Sequence, residues 1–331
     1  MSNKSILFIS KGAHAASTRY RALAYFDGLR ARAWEPVHMA ARSDPFSRME
    51  LLRRASQMDV VVVLRKTFSL PFFSLLRLCS RYLILDLDDA VFCRSNGSPS
   101  RTRQKRFAHV ARRCQQIWAG NTYLAEAARD HNPSVTVMPT SLVPEKYAVN
   151  TTKPPNVVDL VWIGSSSTRK YLEAALPVLE RLAGSFSHLR LKIVADFHLP
   201  SRHLPIVPIP WSEGIESEAL SSAHIGIAPM PDTPWTQGKC GLKVLQYMAA
   251  SLPVVSSPAG VNGEIVEHGI TGFLAQKPED WEAAIERLIR DPDLRIRMGE
   301  VGRKRVVEGY AVDVTGRKMA HALGKAYPQT P

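Results

Sequence analysis

Lys239 and Lys243 lie four residues apart in the stretch GKCGLK, interleaved with Gly238 and Gly241 and followed by an apolar run that ends at Pro253. Two ammonium groups on one side of a first helical turn, beside unpaired backbone amides, make a site for a phosphate or diphosphate. A second turn with exposed amides, AGVNGE, adds Gly260, Val261, Asn262 and Glu264 to the same neighbourhood. Just ahead of the lysines, Pro231, Asp232, Pro234 and Trp235 form a stiff loop beside that phosphate site. A third turn, IGSSSTRKYLEAAL, places Gly164 and Ser165 after an apolar strand and Arg169 and Lys170 on the helix after it. Its hydroxyls cap that helix, and its cations either meet a phosphate or lie solvated.

The N-terminal half offers a different chemistry. After the first apolar strand comes KGAHAASTRYR, with Gly12, His14, Thr18, Arg19 and Arg21. Small residues there allow a ligand to approach, and Arg19 and Arg21 either hold a phosphate or form an ordinary basic helix face. The glycine spacing is not that of a dinucleotide fingerprint, which disfavours a nicotinamide cofactor. DLDDAVF places Asp86, Asp88 and Asp89 at the C-terminal end of a strand, where open parallel sheets receive ligands. Three acids invite a metal reading, but the stronger expectation is that Asp89 or Asp88 orients an acceptor hydroxyl or takes its proton, while Asp86 finishes the strand.

These groups need a frame that brings strand ends together. Apolar runs at Ile6–Ser10, Met58–Leu64, Tyr82–Leu87, Gln116–Ala119 and Thr136–Met138 alternate with helical stretches at Thr18–Arg32 and Thr122–His131. After a polar, proline-containing segment from Val143 to Pro155, a second series begins. Its strands are Val157–Ile163, Arg190–Val194, Ile225–Ala228 and Val254–Val255, and its helices Lys170–Ala183, Ser217–Ser222, Gly241–Ala250 and Pro278–Arg290. Alternation of this kind predicts an α/β fold of two doubly wound, Rossmann-like domains facing a central cleft. The expected division is 1–148 and 149–310, with a C-terminal helix at 311–331 returning towards the first.

Over about thirty-five residues (Gly238 to Gly272) the chain resembles the donor module of retaining GT-B glycosyltransferases, in particular family 4. Gly241, Leu242, Met248, Ala249, Pro253, Val254, Val255, Gly260, Glu264, Ile265 and Val266 fit that family's frame. Two positions depart from it, because Gly238 and Gln246 stand where the family has carboxylates. The resemblance implies that Gln246 meets the ribose hydroxyls and that Lys239 and Lys243 compensate for the missing acids, as in a GKCG-x-K subgroup. It also puts Ser165 and Lys170 where the family has the arginine and lysine that neutralise the donor diphosphate, and places Trp211 and Glu213 near the nucleobase. Trp211 is equally readable as a core anchor. The likeness further implies sugar transfer from a nucleotide-sugar to a glycan, lipid-linked or other hydroxyl, with retained anomeric configuration, no cofactor and no metal. The rival from another class is a non-catalytic GT-B-like binding protein, which the missing acidic pair makes room for.

Composition narrows the setting. The 331 residues carry 43 Lys plus Arg against 30 Asp plus Glu, a net charge of +13, so anions should be drawn to the surface. The basic run Arg101–Arg106 and the cations near Arg303–Arg305 have no stacking aromatics beside them, which points away from nucleic acid and towards anionic lipid or a lipid-linked acceptor. Cys79, Cys93, Cys114 and Cys240 show no paired spacing, and no apolar run reaches the ~20 residues that span a bilayer. A cytoplasmic protein, peripheral on the inner face of the cell membrane, is the expectation.

Overall fold

The structure, a computed structural model, describes residues 4–147 and 153–326. It divides into two compact units, the first built from the residues up to Leu142, the segment Thr233–Cys240 and the C-terminal stretch from Val312. Val143–Asp232 and Gly241–Ala311 make the second. The expected boundary after residue 148 falls outside the described residues, as do the last five residues of the expected C-terminal helix.

In the first unit the chain runs β1 (Lys4–Ser10), α1 (Ala16–Arg21), α2 (Phe26–Arg30), β2 (Trp34–Ala40), α3 (Pro45–Gln57), β3 (Val60–Leu64), α4 (Leu70–Cys79), β4 (Tyr82–Leu87), α5 (Arg101–Arg113), β5 (Gln116–Ala119), α6 (Thr122–Arg129) and β6 (Val135–Val137). The strands form one parallel sheet in the order β2-β1-β3-β4-β5-β6. Every residue of β3 is buried, as a central strand covered on both faces requires. Val61 and Val63 face one core with Leu76 and Phe107, while Val60 and Val62 face the other with Tyr25 and Leu29.

The helix expected over Thr18–Arg32 is broken. Ala22 leaves helical geometry (φ −131, ψ −70) and a short 3₁₀ turn at Leu23–Tyr25 separates α1 from α2. The break coincides with Arg21, whose buried side chain reaches Asp86 on β4.

The second unit runs β7 (Val158–Ile163), α7 (Arg169–Ser185), β8 (Leu189–Ala195), β9 (Ile206–Pro210), α8 (Glu216–Ser221) and β10 (Ile225–Ala228). The short α9 (Pro234–Gln237) belongs to the first unit, and the second resumes with α10 (Leu242–Ala249), β11 (Val254–Ser256), α11 (Asn262–Ile265), β12 (Gly272–Leu274), α12 (Pro278–Arg290) and α13 (Pro292–Gly309). Its sheet is again parallel, in the order β12-β11-β10-β7-β8-β9. Trp162, Leu160 and Ile193 pack on one face with Leu179 of α7 and Ile285 of α12. The last helix, α14 (Val312–Ala326), returns to the first unit, where Met319, Ala322 and Leu323 close the core around Tyr25 and Val312 N donates to Leu142 O at 2.9 Å.

Two six-stranded parallel sheets, each wound with helices, make this the α/β two-domain fold expected from the sequence. Three strands absent from that expectation, β2, β9 and β12, are edge strands; β2 carries Pro36, β9 carries Pro208 and Pro210, and β12 is only three residues long. Proline lacks the donor a central strand needs, so an edge is where such strands occur, and their apolar alternation is correspondingly weak.

Candidate active site

At the C-terminal end of β4, three aspartates take three different roles. Asp86 is buried and receives Arg21 in a bidentate pair, Nε to Oδ2 at 2.6 Å and Nη2 to Oδ1 at 2.5 Å. Arg21 Nη1 also donates to Met138 O at 3.0 Å and to Thr140 Oγ1 at 3.4 Å. Burial pushes the Asp86 carboxyl upward while the guanidinium pulls it back, and burial likewise opposes the Arg21 charge, which Asp86 more than restores. Arg21, grouped from the sequence with Arg19 as an anion ligand, is therefore committed to holding β4, α1 and the segment after β6 together. Arg19 lies half-buried across the Tyr20 ring, 5.1 Å from its centroid.

Asp89 is also buried. Its Oδ1 accepts from Lys239 Nζ at 2.7 Å, and its other oxygen pairs with Arg65. Asp88 is nearer the surface, with Oδ1 3.7 Å from Arg65 Nε and no hydrogen bond on that oxygen among the described residues. Burial, and after it the Arg65 charge, pull the Lys239 ammonium down to about 8 against the opposing pull of Asp88. Its 2.7 Å contact with Asp89 favours the charged form. The Trp235 ring lies 4.8 Å from the same ammonium.

This arrangement requires the segment Thr233–Cys240 to sit on the first unit, and several groups hold it there. Asn121 Nδ2 donates to Gln237 O at 2.9 Å and to Lys239 O at 3.0 Å, and Cys240 Sγ donates to Asp88 O at 3.4 Å. Burial pushes the Cys240 thiol up to about 12, which keeps it a neutral donor. A Cβ on Gly238 would lie 2.6 Å from Ala90 N, so no side chain, acidic or otherwise, fits at that position. The sequence placed Lys239 and Lys243 on one helical turn. The structure separates them, because α10 begins only at Leu242, after Gly241 has taken a left-handed φ of 68°.

In the second unit the end of β7 and the turn after it meet Lys243. Its ammonium lies 3.9 Å from the Trp162 ring centroid and 3.5 Å from Thr168 Oγ1. A Cβ on Gly164 would come within 2.3 Å of the Trp162 ring and 2.8 Å of Lys243 Nζ, so glycine is what lets the lysine reach the strand end. Ser165 and Thr168 form a reciprocal cap there, and Ser166 N donates to Asp196 Oδ1 at 2.7 Å. Gly241, at the head of α10, abuts Val261, Asn262 and Ile265, which brings the AGVNGE turn beside the helix start. Gly260 makes that turn with φ 56°, and Asn262 Nδ2 is anchored on Ser256 Oγ at 3.1 Å.

Gln246 points elsewhere, into a buried network. Its Nε2 donates to Glu216 Oε1 at 2.7 Å and to Tyr147 OH at 3.3 Å, Tyr147 OH donates to Glu216 Oε1 at 3.1 Å, and Trp211 Nε1 donates to Glu216 Oε2 at 3.0 Å. The carboxylate missing from position 246 is thus present beside it, contributed by α8. The Trp211 ring itself is 39% exposed, too open for a core anchor.

Most of the remaining expected site residues lie exposed. Lys170 is exposed on the first turn of α7, 5.3 Å from the Tyr171 centroid, and Arg169 pairs with Glu173 at 2.7 Å. Glu213 and Glu264 are exposed, and Glu264 O accepts from Arg305 at 2.8 Å. His14 is exposed in the turn after β1, where Gly12 N donates to Ser10 Oγ at 3.2 Å and Thr18 Oγ1 shares a 2.6 Å contact with the same hydroxyl. Among the described residues, no group of three or more His, Cys, Asp or Glu side chains converges as a metal site would.

Arg65, Glu216 and Tyr147 were not anticipated. Arg65 directly follows a fully buried strand of a parallel sheet, a position that could have singled it out. Glu216 carries no such signal, since it is one of three glutamates in SEGIESE and only the fold buries it.

Comparison with known proteins places this geometry. Residues 157–291 match the family model described as "Glycosyl transferases group 1". The human alpha-1,3/1,6-mannosyltransferase ALG2 is 38% identical over 92 residues, covering 28% of this chain and 18% of that protein. The D-inositol 3-phosphate glycosyltransferase of Corynebacterium jeikeium is 34% identical over 93 residues, covering 28% of this chain and 21% of that one. The chain thus spans about a fifth of the length of these relatives. Among solved structures, Anabaena HepE in complex with UDP and glucose superposes with a TM-score of 0.74 at 13% identity, over 97% of this chain and 100% of that one. Residues 157–291 thus match a glycosyl transferases group 1 model, in a chain of the two-domain GT-B fold.

Proposed function

We propose that the chain is a glycosyltransferase whose nucleotide-sugar donor binds to the second unit with its diphosphate at the head of α10. The observation that carries this is Lys243, held over the Trp162 face beside Gly164 and the Ser165–Thr168 hydroxyls, at the start of a helix that no side chain caps. Lys170, on the first turn of α7, adds a second cation. The Glu216–Gln246 pair serves the ribose hydroxyls, and the exposed Trp211 ring serves the base. HepE has been seen with UDP, which makes UDP the first probe for this chain.

In the reaction the bond between the anomeric carbon and the diphosphate oxygen breaks, and its electron pair leaves on that oxygen. The fixed cation and helix amides stabilise the developing charge without reorganising. The acceptor oxygen attacks from the same face, its proton passes to the departing phosphate, and configuration is retained. No step calls on a metal. Asp88 and His14 are the groups we assign to orienting the acceptor. Asp89 is not among them, because Lys239 and Arg65 already occupy its oxygens.

The acceptor we propose is a glycan or lipid-linked hydroxyl presented at an anionic membrane surface on its cytoplasmic side. In the first unit α4 packs against both α3 and α5. Phe46 and Met49 of α3 and Leu78 of α4 are 89%, 69% and 82% exposed, next to an α5 that carries six Arg or Lys and no acid. Exposed apolar side chains in a unit that also carries this basic helix suit anionic headgroups over an acyl interior. Among the described residues no helix is long and apolar enough to cross a membrane.

Transfer of radiolabel from a panel of sugar nucleotides tests the enzymatic reading, with turnover on at least one donor expected. The replacement of both family carboxylates, by Gly238 and Gln246, favours one second reading, a binding protein without turnover. Nucleotide binding with no transfer from any donor would select it. Flotation with liposomes tests the membrane part, and equal recovery with and without anionic lipid would reject it.

A further inference from the structure

The donor reading uses the C-terminal ends of the second sheet. The opposite edge of that sheet, at the starts of the strands, carries a separate cavity of about 990 Å³. Val157, His188, His224 and Pro253, which immediately precede β7, β8, β10 and β11, contribute to its lining, and the start of α13 covers it.

Its charges are sorted by depth. Lys153 and Arg295 are half-buried and His224 is buried, whereas the acids of the lining, Glu300 and Glu308, lie exposed at the rim. Glu308 is within 3.9 Å of Lys304, and Arg303, the remaining cation of the lining, is occupied with the carbonyls of Pro144, Tyr147 and Ala249. Arg295 caps the end of α12 through Leu288 O and Ile289 O, and Lys153 has no ion-pair partner among the described residues. Behind the cavity Asp159 is already shared between Arg190, at 2.8 Å, and Lys192, at 3.1 Å, and Asp291 is the acid whose charge acts on Arg295.

His224 adds a donor. Its Nδ1 accepts from Asp159 N at 3.0 Å, which assigns the proton of the neutral ring to Nε2. The neighbourhood keeps the ring neutral: burial, then the Lys153 and Arg295 charges, pull it down to about 4. Burial and the same cations, Arg295 and Lys192, also draw the Lys153 ammonium down to about 8. Lys153, Arg295, Arg190 and Lys192 outnumber Asp159 and Asp291, the acids that act on them, so the cations disfavour one another and an anion placed among them relieves the repulsion. Val157, Ile289, Ile296 and Val307 supply apolar wall beside them.

We propose that this cavity is a second ligand site, which takes a phosphomonoester with an apolar body, its phosphoryl group between Lys153, Arg295 and His224 and its body along Ile296 and Val307. It is separate from the donor site and does not depend on that reading.

Calorimetric titration of the full chain with hexyl phosphate, inorganic phosphate and hexanol tests the assignment. Hexyl phosphate should bind about tenfold or more tighter than inorganic phosphate, and hexanol should give no heat. Lys153→Met should weaken hexyl phosphate about tenfold, while Lys243→Ala should leave it within about twofold. Without ligand, Lys153→Met should melt at least as high as the native chain, because it removes a like charge from beside Arg295. Equal affinity for the two phosphates overturns the apolar half of the assignment. Binding that survives Lys153→Met, or is lost in Lys243→Ala alone, overturns the site. A lower melting temperature for the ligand-free variant does so as well, since it would mean that Lys153 is held by the protein itself.

Discussion

Two lysines four residues apart end in different units and in opposite electrostatic situations. Lys239 lies on the Asp89 carboxylate, with Arg65 on the other oxygen, and the segment bearing it is bound down by Asn121 and Cys240. Lys243 lies across an indole face, held by a hydroxyl and made room for by Gly164. A charge on a carboxylate has already exchanged water for its counter-ion, and an incoming phosphate must compete with that pair. A charge over an aromatic face keeps much of its field, for a contact worth roughly 0.5–2 kcal/mol. The comparison separates a lysine whose charge meets a carboxylate of its own unit from one placed on an indole face and a hydroxyl.

The strongest break to that contrast is Asp86→Ala in the first unit. It leaves Arg21 buried without its partner and should destabilise the unit by about 3–5 kcal/mol, read as a fall in the urea midpoint. A loss below about 1 kcal/mol would show that the ion pairs at the end of β4 are not what holds it. Gly238→Ala comes next. Its Cβ meets the Ala90 backbone, and the resulting shift should cost about 1–3 kcal/mol. Unchanged stability would mean that the segment is not seated on the first unit as described.

The smallest effect belongs to the second unit and is a matter of pH. His224, drawn to about 4 from its ordinary value mainly by burial, binds a proton less readily when folded than when unfolded. Its contribution to stability is therefore full above about pH 6.5 and is lost as the pH falls towards about 4, at most about 1–3 kcal/mol. Urea midpoints should fall through that window, and His224→Asn, which retains an acceptor for Asp159 N, should flatten the fall. An equal slope in the variant would assign the pH dependence to other groups.

Much of the frame was legible beforehand. Central strands such as Val60–Leu64 and Val158–Ile163 are continuous apolar runs because both their faces are covered, and such runs are visible in any reading. The edge strands β2 and β9 were not, because one side of an edge is unpaired and proline can enter there. The site was legible in residue type more than in partnership. Lys243 meets Gly164 at the end of β7, and Gly241 meets Asn262 beside the end of β11, all four being residues that the glycine and lysine spacing had singled out. Arg21 and Lys239 look the same as ligands in the sequence, yet contacts across 65 and 150 residues make them structural. Glu216 restores beside Gln246 a carboxylate that the local motif lacks, from a helix thirty residues earlier in the chain. Periodicity reports local burial, and these pairings are decided by tertiary contact.

The most direct test of the donor assignment is calorimetric titration of UDP into the native chain, Lys243→Ala and Lys239→Met. UDP affinity should fall about tenfold or more in Lys243→Ala and stay within about twofold in Lys239→Met, although the latter should unfold at lower urea. Equal losses in the two variants, or a loss confined to Lys239→Met, would contradict the division between the two lysines and move the phosphate site off the second unit.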